Sequence, residues 1–161
     1  IDGNKPIDIL LCVPPSWVKR STETGARESM VAKQFKEWGL DYWDAVDPTM
    51  RDDYPKSLDQ YRIVHYESCR GLEGWVVVNF ALDEFFEYKK VNAEISQLEK
   101  SDMFYDQEES ALDYAKKWTM IPLTRAIDTL VIHIKEKDSY IGKIFIDLHN
   151  KYPESVDFYD L

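Results

Sequence analysis

Short, almost wholly apolar runs alternate along this sequence with longer segments whose apolar residues recur at helical spacing. Such runs are typical of parallel strands, which are buried on both faces. The apolar runs cover residues 7–13, 61–66, 75–80 and 130–134, and the helical patterns cover residues 26–38, 82–98, 111–118 and 140–152. Strands that alternate with helices form a parallel sheet covered on both sides, so the sequence predicts an α/β fold.

Turn-forming residues separate these elements. Pro14 and Pro15 end the first apolar run, and Gly39 follows the first helical pattern as a C-terminal stop. Residues 40–45 fit a short strand, whereas the acidic stretch 47–60 is predicted to be an exposed loop.

Length and charge limit what the chain can be. Its 161 residues, 44% of them apolar, suit a single domain over residues 1–161, and the net charge of −10 disfavours strong autonomous binding to nucleic acid. Two cysteines argue against a disulfide framework, and no run is long and apolar enough for a membrane span, so we expect a cytoplasmic protein without membrane contact. The lack of an initiating Met suggests a piece of a longer chain.

The first chemically distinctive segment is Ser-Cys-Arg-Gly-Leu-Glu-Gly, residues 68–74, between two predicted strands. Its glycines permit a tight turn, Arg70 offers a planar cation, and Glu73 offers a carboxylate that can bind a sugar hydroxyl. The alternative is a turn held by an Arg70–Glu73 ion pair.

The second segment is Pro-Leu-Thr-Arg-Ala, residues 122–126, between a predicted helix and a strand that we expect to be buried. A guanidinium in apolar surroundings is costly unless it has an anionic partner, so Arg125 either closes a structural contact or awaits a ligand. The structural alternative is a cation that complements the helix C-terminus.

Together and in this order, the two segments resemble motifs of the C-terminal RecA-like motor domain of UvrD/Rep-like superfamily 1 DNA helicases. Residues 65–78 resemble motif V and residues 114–126 resemble motif VI, and the likeness extends over about residues 7–135. The resemblance implies a three-layer RecA-like, P-loop NTPase-like domain with a mainly parallel sheet, cut from an ATP-dependent helicase.

The resemblance also implies roles for particular residues. Arg125 would reach the γ-phosphate of ATP held by an N-terminal RecA-like domain, and Gly71, Glu73 and Thr124 would complete the nucleotide site. His65 stands at the family's motif V threonine and Arg70 at its lysine, and both are candidate contacts to nucleic acid, although Glu67 replaces the family's DNA-contacting histidine and Gly74 its phenylalanine. The alternative for His65 is a strand histidine that is hydrogen-bonded to a neighbour. ATP and Mg²⁺ would serve the full-length protein.

The chain lacks a P-loop of its own, since its Gly-Lys pair, Gly142-Lys143, is followed by isoleucine. We therefore predict an inert isolated fragment with no tightly bound cofactor and no zinc. Asp83 and Glu84 imitate a Walker B strand end, but they suit the first turn of a helix better.

Alternative interpretations remain. The main one is a degenerate helicase-like domain that serves as a protein-interaction module, and a flavodoxin-like or receiver-like domain ranks last. A locally basic segment between Pro14 and Trp38 could touch a DNA backbone, with Trp17 available for base stacking, or could be a solvated helix face; its cations are Lys19, Arg20, Arg27, Lys33 and Lys36.

Overall fold

A computed structural model describes residues 5–22, 25–93 and 107–160. Its centre is a parallel sheet of five strands in the order β4-β5-β1-β6-β7. These strands are β1 (Ile9–Val13), β4 (Tyr42–Asp44), β5 (Tyr61–His65), β6 (Gly74–Asn79) and β7 (Ala126–Ile132). The two remaining strands, β2 (Val18–Arg20) and β3 (Arg27–Ser29), form a separate antiparallel hairpin.

The described residues form five helices: α1 (Met30–Trp38), α2 (Pro48–Arg51), α3 (Leu82–Val91), α4 (Gln107–Leu123) and α5 (Tyr140–Lys151). The Ser29 hydroxyl caps α1 by accepting the Ala32 N–H, and Gly39 ends the helix with φ of 69°. A left-handed residue of this kind suits glycine, so the predicted stop is confirmed. Short 3-10 turns at Pro6–Asp8, Pro15–Trp17 and Tyr66–Ser68 complete the connections.

Helices cover both faces of the sheet, as the side chains of β1 show. Leu10 and Cys12 pack into a cluster with α3 and α4, whereas Leu11 and Val13 pack into a second cluster with α1. Successive strand residues point to opposite faces, so one continuous apolar run fills both layers of core. The predicted α/β fold with a parallel sheet is confirmed, and its assignment as RecA-like stays a prediction.

The helix predicted from about residue 26 starts later. Residues 27–29 form β3, in which Arg27 pairs with Arg20 of β2, and α1 begins only at Met30. The helical spacing of Met30, Val31 and Phe35 correctly predicted a helix, but the cap at Ser29 sets where the helix begins.

The strand predicted over residues 130–134 begins earlier, at Ala126, and its expected burial is wrong. β7 lies at the edge of the sheet, with Ile127 58%, Leu130 36% and Val131 43% exposed. An apolar run cannot distinguish a central strand from an edge strand, because position in the sheet depends on pairing with distant segments.

The third helix was expected to reach Leu98, and it extends to Val91; residues 94–98 and the predicted polar break at 101–107 lie outside the described residues except for Gln107. No helix in the described ranges is long and apolar enough to cross a membrane.

Candidate functional site

The predicted site residues fall at two opposite edges of the parallel sheet. At the amino edge, where strands begin, the segments 70–74 and 124–126 lead into β6 and β7. At the carboxyl edge, where strands end, His65 closes β5. The first edge carries the residues expected to bind nucleotide, and the second carries one of the two residues expected to bind nucleic acid.

At the amino edge, the two motif segments lie side by side. β6 and β7 are parallel neighbours, and the Gly74 N–H donates to the Arg125 carbonyl oxygen at 3.1 Å. Gly74 is required there, because a Cβ would lie 2.8 Å from the carbonyl oxygen of Val76 and 3.0 Å from Leu10 Cβ. Segments that are about fifty residues apart in the sequence thus form one edge of the sheet.

Arg125 closes the C-terminal end of α4. Its Nε donates to the Ile121 carbonyl oxygen at 3.1 Å, and its Nη2 donates to Thr124 Oγ1 at 2.9 Å. The side chain is half-buried, and no carboxylate within the described ranges lies in ion-pair distance of it. The alternative of a cation at the helix C-terminus is therefore found, and Nη1 remains available to an anion within the described part of the chain.

Glu73 and Gly71 are both exposed beside this edge. Gly71 adopts φ of 83°, a conformation that favours glycine, and Thr124 is exposed as well. The expected alternative of an Arg70–Glu73 ion pair does not occur in the part of the chain that the structure describes. The Glu73 side chain is exposed to solvent, one residue before Gly74, whose N–H contacts the Arg125 carbonyl oxygen.

Arg70 belongs to a different group, which packs around Trp118 of α4. Its guanidinium carbon lies 5.7 Å from the centroid of the Trp118 ring, and Lys89 Nζ lies 3.9 Å from that centroid. Lys89 is buried and forms an ion pair of 2.6 Å with Glu67. The Glu67 carboxylate is thereby neutralised within the chain, which sequence reasoning did not anticipate because Lys89 follows Glu67 by 22 residues.

His65 lies elsewhere, in a cavity of about 320 Å³ at the carboxyl edge. The cavity is lined by Pro15, Val18, Lys19, Arg20, Arg27 and His65. His65 is 7% exposed, and its Nδ1 is buried without a hydrogen-bond partner among the described residues. Burial lowers the pKa of His65, and the charges of Arg51 and Arg27 lower it further against the opposing effect of Glu67. The structure thus separates His65 from Arg70 and joins it to the basic segment.

Two carboxylates hold the hairpin of β2 and β3 against the sheet. Asp44 Oδ2 accepts the Ser29 N–H at 2.9 Å, and Asp47 Oδ2 accepts the Arg27 N–H at 2.7 Å. Hydrogen bonds from Thr49 and Arg27 lower the pKa of Asp47 to about 2, whereas burial raises the pKa of Asp44 to about 6. Asp47 was expected in an exposed loop, but it is buried shortly after β4, as is Asp44 at the end of that strand.

Trp17 does not offer a platform for base stacking. Its ring stacks on Phe80 with 5.4 Å between centroids and lies 5.9 Å from the His133 ring. Half-buried among apolar neighbours, it belongs to the core cluster beside α1.

The carboxylates after β6 do not form a metal site. Asp83 Oδ1 and Oδ2 accept the N–H groups of Lys135 and Glu136 at 3.1 and 2.9 Å, and Glu84 pairs with Lys135. Both oxygens of Asp83 are therefore occupied in joining α3 to the segment after β7, and no cluster of three metal-ligating side chains occurs in the described ranges.

Two cysteines meet on the face covered by α3 and α4. Cys12 and Cys69 are free, fully buried thiols that share a hydrogen bond, and the Cys69 thiol donates to the Tyr66 carbonyl oxygen at 3.0 Å. The hydrogen bond with Cys12 lowers the pKa of Cys69, and burial opposes it, while the pKa of Cys12 is raised.

The sequence identified the basic segment and His65 separately, but it did not predict that they line the same cavity. The missing signal was sheet order: β1 pairs with β5, so the residues after Val13 and the end of β5 are neighbours. Asn79 was also missed; it is fully buried at the end of β6, and both polar side-chain atoms lack partners in the described ranges. Its polar side chain at the end of a valine run was the available clue.

Comparisons of the chain with models of protein families, with curated proteins and with solved structures give no match in any of the three.

Proposed function

We propose that this chain is the second motor domain of an ATP-dependent DNA helicase, which completes a nucleotide site in trans to an N-terminal RecA-like domain. The partner domain would hold ATP and Mg²⁺, and this chain would supply Arg125 and Glu73. Single-stranded DNA would be the translocated substrate of the full-length protein.

The observation that carries the proposal is the adjacency of the two motif segments at the amino edge. The Gly74 N–H to Arg125 carbonyl bond brings Glu73 and Arg125 to the starts of neighbouring strands. A cation and a carboxylate that lie there without pairing to each other could meet the phosphate and the sugar of one nucleotide.

The chemistry proposed for Arg125 is electrostatic. Its Nε and Nη2 are fixed by Ile121 and Thr124, so the guanidinium is held in one orientation before a phosphate arrives. A preorganised cation stabilises charge that develops on the transferred phosphoryl group, and an arginine supplied in this way contributes roughly 10³–10⁵ in turnover. Opening and closing of the cleft between domains would couple hydrolysis to movement along DNA.

The test is Arg125→Ala in the full-length protein. DNA-stimulated ATP hydrolysis should fall by roughly 10³-fold or more, because transition-state stabilisation is lost, while the dissociation constant for ATP changes little. Lys143→Ala, which removes an exposed cation from α5 outside the basic segment, is the matched control and should hydrolyse ATP at the wild-type rate. Undiminished turnover in Arg125→Ala would refute the proposal.

A second candidate function, a degenerate domain used as a protein-interaction module, is favoured by the exposed edge of the sheet. Ile127, Leu130 and Val131 present apolar side chains on β7, whose outer edge pairs with no other described strand. An open edge strand of this kind can accept a strand from a partner protein. Under this alternative, the full-length protein would lack ATP turnover, and Ile127→Lys would dissociate a stoichiometric complex measured by sedimentation.

A further inference from the structure

The carboxyl-edge cavity combines several features of an anion site that the proposed nucleotide chemistry at the opposite edge does not use. It lies where β1 and β5 end, which is where parallel α/β sheets commonly bind ligands. Its volume of about 320 Å³ falls at the lower end of the range for small-molecule sites.

The hairpin places two like charges face to face at this cavity. Arg20 and Arg27 are directly opposite each other in the register of β2 and β3. Like charges in such a cross-strand pair destabilise a hairpin unless an anion lies between them. No carboxylate of the described residues forms an ion pair with either guanidinium, and Asp47, which interacts electrostatically with Arg27 without an ion pair, offsets the positive charge only in part.

The buried histidine supplies a second, independent observation. His65 lines the cavity, and its buried Nδ1 has no hydrogen-bond partner among the residues that the structure describes. A buried polar atom left unpaired costs about 1–3 kcal/mol, and a ligand that pairs with it recovers this energy. The group that meets His65 and two arginines is an oxyanion.

We propose that this cavity binds a small molecule that carries a phosphate group, with Arg20 and Arg27 neutralising the phosphate and a turn of the His65 ring bringing its buried Nδ1 to a phosphate oxygen. Lys19 lines the same cavity, although it stands opposite Glu28 in the hairpin and contributes less net charge. The hairpin is held in place by Asp44 and Asp47, so the site exists before the ligand arrives.

A small ligand fits better than a nucleic-acid strand. Binding of single strands requires a basic groove with aromatic faces for successive bases. Here the nearest tryptophan, Trp17, is packed on Phe80, and the cavity lining contains no other aromatic side chain than His65. The net charge of −10 would also repel a long polyanion more strongly than a single phosphate.

The test is a titration of the chain with inorganic phosphate, with adenosine monophosphate and with a single-stranded oligothymidylate, each followed by the nitrogen resonances of the His65 ring in NMR spectra. We expect a saturable shift with the two small phosphates and a dissociation constant of about 1 mM or below for at least one of them. Sodium chloride at matched ionic strength should not reproduce the shift.

Two double variants make the result specific. Arg20→Gln with Arg27→Gln should raise the dissociation constant by about tenfold or more, because two charge-assisted contacts are lost. Lys33→Gln with Lys36→Gln removes the same charge from exposed positions on α1 that do not line the cavity, and binding should be unchanged.

Three outcomes would overturn the assignment. They are the absence of a saturable shift, an equal shift with sodium chloride, and tighter binding of the oligothymidylate than of both small phosphates with a steep salt dependence. The last outcome would make the cavity a nucleic-acid contact. Each is independent of Arg125, so the proposed helicase function can fail while this site stands, and the reverse also holds.

Discussion

Asp44 offers the sharpest test of how the hairpin is anchored. Its carboxylate is buried at the end of β4, where Oδ2 accepts the Ser29 N–H and Oδ1 has no hydrogen-bond partner among the described residues. Burial raises the pKa from the ordinary value of 3.8 to about 6. Each unit of pKa difference between folded and unfolded chains corresponds to about 1.4 kcal/mol, so the ionised carboxylate costs the fold about 3 kcal/mol.

The direction of the pH dependence of stability follows from the number of protons that each state binds. Between about pH 4 and pH 6 the folded chain holds a proton on Asp44 that the unfolded chain has lost. The contribution of Asp44 to the free energy of unfolding is therefore full below about pH 4 and disappears as the pH rises through about 6. Asp44→Asn keeps an acceptor for Ser29 and removes the charge. At about pH 7.5 the variant should be more stable than the wild type by about 2–3 kcal/mol, and the gain should shrink towards zero at about pH 4.

The assay is urea denaturation of both proteins at the two pH values, with the free energy of unfolding obtained by linear extrapolation. Asp52→Asn is the matched control, because this carboxylate is exposed on the following segment, and its effect should be small and equal at both pH values. A difference between Asp44→Asn and wild type that is the same at both pH values would refute the reasoning.

Two further substitutions test the contacts around the predicted site by urea denaturation. Glu67→Gln should lower the free energy of unfolding by about 2 kcal/mol, because it leaves the buried Lys89 ammonium without its ion-pair partner at 2.6 Å. The double variant with Lys89→Met should recover most of this loss of stability. An undiminished loss in the double variant would contradict the pairing. Gly74→Ala should lower the free energy of unfolding by about 3 kcal/mol, since its Cβ would lie 2.8 Å from the Val76 carbonyl oxygen. In Gly71→Ala the new Cβ meets open space, so this variant should lose only about 1–2 kcal/mol because of its positive φ. Equal losses of stability would contradict this account of the amino edge.

The sequence predicted most of the fold because local signals agree with the tertiary arrangement. The run from Ile9 to Val13 alternates between two apolar clusters, so one continuous apolar segment specifies a strand covered on both faces. Pro14 and Gly39 mark element ends through backbone geometry alone, which depends on no distant contact.

Burial at the edges of the sheet and in the loops was not predictable in the same way. β7 is apolar but exposed at the edge of the sheet, where β6 is its one partner among the described strands, and no local sequence pattern specifies the sheet order. Asp44 and Asp47 look like surface acids in the sequence, yet backbone N–H groups of the hairpin bind them. Such partners become visible only once the chain is folded.

The candidate site was predicted in part. The motif segments at the amino edge were identified together, and the structure places them on adjacent strands. His65 and Arg70, both predicted to contact nucleic acid, lie in different surroundings, because Arg70 packs on Trp118 whereas His65 lines the cavity with Arg20 and Arg27. A sequence separation of five residues does not keep two side chains together when a 3-10 turn lies between them.

The most direct test of the central proposal is a structure of the full-length protein with ADP and aluminium fluoride, a mimic of the transferring phosphoryl group. We expect a guanidinium nitrogen of Arg125 to lie about 3 Å from a fluoride of the mimic, with the Glu73 carboxylate near the ribose of the same nucleotide. An Arg125 side chain that remains on Ile121 and Thr124 while facing away from the nucleotide would contradict the proposal.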